Sequence, residues 1–273
     1  MRDESEFQFR LGIVLLCAVV LAALVSLFYT PFDPYAMNTA QRFLPPGPVH
    51  WFGTDQFGRD NFSRAITGAR YSLLAAGATV VLSGAAGIAL GLFSGYFGGP
   101  VEAVVMRLTD ALSSFPGILT ALVAVSVLNE GRYTIIPALA VAFLPSYIRL
   151  ARSGAQQCKN KEYVFAARAC GASTKRILFR HILPNLMPTV VPSVVVGLSN
   201  AILAESGMSY LGLGIQPPIP SWGRMLAEGQ AYLLKAPWEA LGAGLMMLLT
   251  VLGLNALGSS IVLHFTGRGA RRL

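Results

Sequence analysis

Six stretches of this chain run without a single charged side chain: Leu11–Tyr29, Tyr71–Val101, Ala111–Asn129, Tyr133–Ile148, Ile182–Ala204 and Ala240–Thr266. Most reach the roughly 17–25 residues that an α-helix needs to cross a bilayer core. No soluble fold of this length could bury them all. The 273 residues are 54% hydrophobic and 12% charged, against roughly 25% charged in soluble domains. Because a spanning segment in lipid must satisfy its own backbone, helices are the economical solution. The expectation is an all-α, polytopic membrane protein with six transmembrane helices, in which Tyr133–Ile148 is the shortest span and holds Pro137 and Pro145.

The placement of charge orients the helices. Of 21 Lys and Arg, eight fall between Arg149 and Arg180 against one acid, Glu162, and Arg268, Arg271 and Arg272 close the chain. The two long segments on the other side, Thr30–Arg70 and Glu205–Glu239, together carry six cations and six acids. This is the positive-inside bias of a protein with both termini in the cytoplasm. A net charge of +8 raises the question of nucleic acid, but the cations lack the exposed aromatic stacking residues such binding uses, so no nucleic-acid partner is expected. Leu11–Tyr29 exceeds the roughly 7–15-residue core of a secretory signal and lacks a clean small-x-small cleavage site, so it reads as an uncleaved first helix. Cys17 falls in that helix, and Cys158 and Cys170 fall in the basic loop, with no disulfide or metal-ligand spacing.

Between the spans, several residues stand out. Asp55 and Asp60 alternate with Arg59, Arg64 and Arg70, a pattern suited to local ion pairs and an interfacial helix leading into the second span. Gly87, Gly91 and Gly95 recur every fourth residue of that span, a small-residue stripe for close helix packing or, alternatively, a hinge. Arg107 and Asp110 lie three apart on one helical face, where they can pair with each other as a structural or gating element. Pro184, Pro188 and Pro192 share a face of the fifth span; aligned prolines free backbone carbonyls where a cavity or neighbour satisfies them, so a kinked, pore-lining helix is expected. Asn200 and Glu205 lie towards its outer end, with Glu205 facing either the conduction path or the interface.

The segment EYVFAARACGASTKRILFRHILP, residues 162–184, says most about function. Glu162, Ala166 and Ala169 fall close to one helical face, Arg168 lies among the loop's cations, Gly171 can take the left-handed conformation that stops a helix, and Ser173 can cap the next. A helix, a glycine turn and a second helix result. Alanines suit a protein groove better than a lipid surface, which would call for more Leu, Phe or Trp. The unit fits a separate soluble motor. None of the four lysines sits in a GxxxxGK[ST] context, so the chain is not its own ATPase by that route. His50, His181 and His264 are dispersed, and no catalytic constellation is present, so no catalytic residue and no metal ligand is assigned. An ion-coupled secondary transporter is the competing class; it would call for an intramembrane carboxylate and matching halves, and no such repeat is visible.

Four long motifs in order carry a resemblance: GTDQFGRDNFSRAITGARYSL at 53–73, SGYFGG with MRLTDALSSFP at 94–99 and 106–116, EYVFAARACGASTKRILFRHILPN at 162–185, and SYLGLGIQPPIPSWGRML at 209–226. The chain resembles, over nearly its whole length, the second (C-type) permease subunits of bacterial dipeptide, oligopeptide and nickel ABC importers. The loop is similar to that family's EAA motif, with Phe165-Ala166-Ala167, Gly171 and Leu183-Pro184 in the frame; Phe165 stands where the motif has Glu, His181 where it has Ile, and Glu162 offers a carboxylate one turn earlier. The resemblance implies a type I ABC importer permease fold. Its parts would be a first helix plus extracytoplasmic segment (1–70), a transmembrane domain (71–266) with a coupling loop at about 149–181, and a basic cytoplasmic tail (267–273). It further implies a bacterial inner-membrane location, a second permease subunit, two cytoplasmic ABC ATPases that supply ATP and Mg, and an extracytoplasmic solute-binding protein. The substrates implied are peptides, with nickel or a metal chelate as the alternative.

Overall fold

The computed structural model describes residues 2–128, 131 and 133–269. Ten α-helices occur among them: α1 (Arg2–Val25), α2 (Asn61–Phe97), α3 (Gly99–Ser113), α4 (Gly117–Leu128), α5 (Ile135–Lys159), α6 (Glu162–Ala169), α7 (Thr174–Arg176), α8 (Leu183–Tyr210), α9 (Trp222–Gln230) and α10 (Trp238–Gly269). No strand forms among the described residues, only an isolated bridge between Thr54 and Asp60. Five helices are long and apolar enough to cross a membrane, and a bent pair, α3 with α4, supplies a sixth crossing if it is one span. Of the expected basic tail, residues 267–269 continue α10, while residues 270–273, with Arg271 and Arg272, and the side chains of 264–269, with His264 and Arg268, lie outside what is described.

The helix bounds follow from local chemistry, and they correct the expected spans in three places. The interfacial helix and the second span are one helix, which begins at Asn61 because the Asp60 carboxylate accepts from the Ser63 N–H at 2.7 Å and caps it. A boundary at residue 70 therefore falls inside α2. The third span is broken by 94° between Ser113 and Gly117, where Pro116 has no N–H to continue the ladder. The fourth runs well past Ile148 to Lys159. Charge does not end a helix when partners are at hand. Arg152 Nε donates to Glu102 Oε1 at 2.7 Å, and Lys159 Nζ reaches the Gly95 carbonyl at 3.1 Å. Cys158 is consequently buried in the last turn of α5, not in a loop, while Cys17 and Cys170 are exposed.

Packing is organised around α2 and α5. A Cβ placed on Gly87 would lie 2.6 Å from the Tyr147 Cβ, one on Gly91 2.8 Å from the Ala151 Cβ, and one on Gly95 2.9 Å from the Ala155 Cβ. The stripe is the seam at which the two backbones approach, a contact lipid-soluble helices make by dispersion alone. One apolar cluster joins α1, α2, α8, α9 and α10 through Val19, Ala65, Val80, Ile202, Trp222 and Leu254. A second, around Leu92, Ala155, Val164, Leu178 and Leu186, joins the C-terminal ends of α2 and α5 to α6 and the start of α8.

At the other end, the charges of 50–64 make the local pairs expected of them and also reach a distant partner. Arg59 Nε donates to Asp55 at 2.5 Å, and Arg59 and Arg64 both donate to Glu228 Oε2 on α9, at 2.9 and 2.8 Å. Arg224 binds the other Glu228 oxygen at 3.1 Å, and His50 meets Asp60 at 2.8 Å. Arg64, Asp55 and Asp60 are almost fully buried. This is a clamp tying the lead-in of α2 to α9, since buried ions persist only when paired and hydrogen-bonded.

Candidate functional site

The segment at 162–184 begins with α6. Val164 is fully buried and Tyr163 and Ala167 are half-buried on the second apolar cluster. Burial, then the Cys158 thiol beside it, pushes the Tyr163 phenol up to about 12. The opposite side of α6 is open. Glu162, Phe165, Ala166 and Ala169 are all exposed and follow i, i+3, i+4, i+7, so one stripe faces outward. Arg168 is also exposed, but its guanidinium turns back: Nε donates to the Tyr96 hydroxyl at 3.2 Å and the group lies 5.1 Å from that ring. It pins α6 to the end of α2.

Gly171 has φ +76°, with the Gly171 N–H bonded to the Arg168 carbonyl at 2.9 Å and the Ala172 N–H to the Ala167 carbonyl at 3.0 Å. That pair of bonds is a Schellman stop, which needs a residue tolerant of the left-handed region. Ser173 Oγ then accepts from the Arg176 N–H at 3.4 Å and caps α7. The second helix differs from a simple amphipathic unit. After one turn it passes through a π-helical stretch, Ile177–Ile182, and continues as α8 without a break. Leu183 is half-buried on the second cluster, and Pro184 is exposed where the π-helical stretch gives way to α8.

The pathway candidates do not gather in one place. Arg107 and Asp110 do not pair; Asp110 binds Arg149 at 2.9 Å instead, across α3 and α5, and both members are about half exposed. Two residues three apart on one helix were displaced by a longer-reaching partner on the next. Pro188 is exposed outside the groove described next. Pro192 and Asn200 do line one groove, between α5 and α8, together with Phe143, Ser146, Tyr147, Ser193 and Gly197; it encloses about 410 Å³. A second hollow of about 260 Å³ shares Phe143 and Ser146 and extends it to Gly117 at the α3–α4 break. No ionisable side chain other than the Tyr147 phenol lines either one.

Glu205 does not line that groove. It is fully buried, and the Ser209 hydroxyl donates to its Oε1 at 2.6 Å while Oε2 has no partner. Ser209 Oγ in turn accepts from the Ile215 N–H at 3.1 Å, so the carboxyl anchors the loop that follows α8. Sequence reasoning missed Tyr147 and Glu228. Glu228 had a signal, standing four residues after Arg224 on the same helix. Tyr147 had none, because a tyrosine in an apolar run reads as packing.

Residues 87–269, from the glycine seam to the end of α10, match the family described as the inner membrane component of binding-protein-dependent transport systems. The chain belongs to this family. It is a multi-pass membrane permease. Among its relatives, the dipeptide transport system permease protein DppC of Haemophilus influenzae is 36% identical over 95% of this chain and 92% of the relative. The oligopeptide transport system permease protein OppC of Bacillus subtilis is 34% identical over 96% and 86%. The di/tripeptide transport system permease protein DppC of Pseudomonas aeruginosa is 37% identical over 92% and 84%. The permease thus shares both its family and nearly its full length with proteins named for peptide transport.

Proposed function

We propose that this permease is one of two membrane subunits of an ATP-driven importer of di- and oligopeptides, and that α6 is its docking element for a cytoplasmic ATPase. The observation that carries the coupling role is the two-sided build of α6. One side is fixed to the ends of α2, α5 and α8 through Val164, Ala167 and Arg168, and the other presents Glu162, Phe165, Ala166 and Ala169. A body pressed on that stripe moves three spans together, the rigid-body coupling that packed interfaces transmit. Both termini and the α6 end are cytoplasmic, and α9 with the Asp55–Glu228 clamp faces outward, where a solute-binding protein delivers substrate. ATP and Mg bind the partner ATPases; this chain is a transport subunit and contributes no catalytic residue. The relatives' names favour peptides over nickel.

The test is reconstitution. The permease, its second permease and the two ATPases, in proteoliposomes with the binding protein outside, should take up labelled dialanine only with ATP inside. The permease alone should hydrolyse none. Hydrolysis by the isolated chain, with contaminating ATPases excluded, would remove the coupling role, and nickel uptake in place of dialanine would remove the peptide reading.

A further inference from the structure

The α5–α8 groove holds one anomaly. Tyr147 is 3% exposed, and its hydroxyl, buried from solvent, has no hydrogen-bond partner. It rests over Gly197 on α8, where any Cβ would overlap it. The hydroxyl therefore occupies a notch that exists only because residue 197 lacks a side chain. Leaving a buried hydroxyl unpaired is costly, so a membrane helix holding one in this way calls for a state in which it is satisfied.

We propose that this hydroxyl is a contact for the main-chain amides of the transported peptide, satisfied when the groove between α5 and α8 is occupied. The chemistry of the groove selects that ligand. Its polar groups, Ser146, Tyr147, Ser193 and Asn200, are uncharged in their ordinary states, and Phe143 and Val196 supply apolar wall. Peptides share their backbone but differ in side-chain charge. A wall with fixed charge would retain one class and repel another, whereas passage requires contacts weak enough to release. A hydroxyl both donates and accepts, so it serves an amide N–H or a carbonyl alike. Pro145 on α5 and Pro192 on α8 leave the carbonyls of Val141 and Pro188 without their usual helical donors, adding backbone acceptors along the two helices. This inference rests on the peptide-importer reading.

The experiment uses the reconstituted complex with labelled dialanine. Tyr147→Phe removes only the hydroxyl. If the group merely packs, the variant is as stable as wild type or more so, and peptide moved per ATP hydrolysed is unchanged; that result overturns the inference. If it contacts substrate, peptide moved per ATP falls by about two- to tenfold, the worth of one neutral hydrogen bond, with no loss of thermal stability. Gly197→Ala forces the hydroxyl out of its notch, and Tyr147→Phe/Gly197→Ala relieves that overlap. The double variant should regain stability without regaining transport. Regain of both would assign the pair to packing and overturn the inference. Wild-type complex that moves no dialanine would overturn the peptide reading and this inference together, whereas wild-type transport with an unaffected Tyr147→Phe overturns this inference alone.

Discussion

Replacing Gly91 by alanine places one methyl group where α2 and α5 touch. The added carbon would lie 2.8 Å from the Ala151 Cβ and closer still to the Ile148 carbonyl oxygen. Non-bonded carbons are at their optimum at about 3.5–4.0 Å, so the seam must open by about 1 Å. Neither obstacle can rotate aside, because one is a Cβ and the other is backbone. α5 has to shift as a body. A radial gap of that size forfeits about a quarter to a half of the dispersion energy of the atoms facing it. Overpacking of this kind costs about 1–3 kcal/mol, or about five- to a hundredfold in the population of the packed state. Gly84 is the internal control, two turns earlier on the same helix, since a Cβ there meets nothing within 4 Å. Gly84→Ala should be neutral or more stable by up to about 1 kcal/mol, the helix-propensity difference. The assay is a denaturant titration of each detergent-solubilised variant followed by circular dichroism, with midpoints compared to wild type. If Gly91→Ala unfolds at the same midpoint as Gly84→Ala, the seam is not a close-packed contact and the reasoning is wrong.

Three further outcomes are expected. Gly171→Val places a β-branched residue at φ +76°, a strain of about 1–2 kcal/mol; insertion and assembly should persist while ligand-stimulated ATP hydrolysis falls, and a wild-type response would show that the turn is not needed for coupling. Glu228→Ala removes the one acceptor that Arg59, Arg64 and Arg224 all share and leaves Asp55 alone to hold Arg59 and Arg64; removing one side of a buried pair costs up to about 3–5 kcal/mol, so the protein level in membranes should drop, and an unchanged level would show the clamp to be dispensable. Cys170, exposed beside α6, should resist a membrane-impermeant maleimide in right-side-out vesicles, whereas a cysteine at the fully exposed Leu234 should react; labelling of Cys170 from outside would invert the orientation.

The apolar runs made the helices legible, because nothing but a membrane helix hides so many consecutive apolar residues. Their ends were less so. A run of uncharged residues marks where a side chain meets lipid, not where the hydrogen-bond ladder stops, so α2 starts ten residues before Tyr71 and α5 outlasts its apolar part by eleven. Pro116 was readable as a break only once the two halves were seen to diverge. In the coupling segment, Gly171 and Ser173 announced the turn because backbone conformation and capping are local chemistry. Pairing is not local. Asp110 binding Arg149, and Arg64 reaching Glu228, depend on which helices become neighbours, and no spacing along one helix encodes that.

The clamp between the lead-in of α2 and α9 also has a history within each molecule. Its bonds join Arg59 and Arg64 to a residue 169 and 164 positions later, so during synthesis those arginines emerge long before their acceptor exists. Until α9 has been made, Asp55 is the only carboxylate of the clamp that can pair with them, and the lead-in of α2 cannot settle into its final burial. The clamp therefore closes only once α9 exists, and a chain halted after α8 would leave it open.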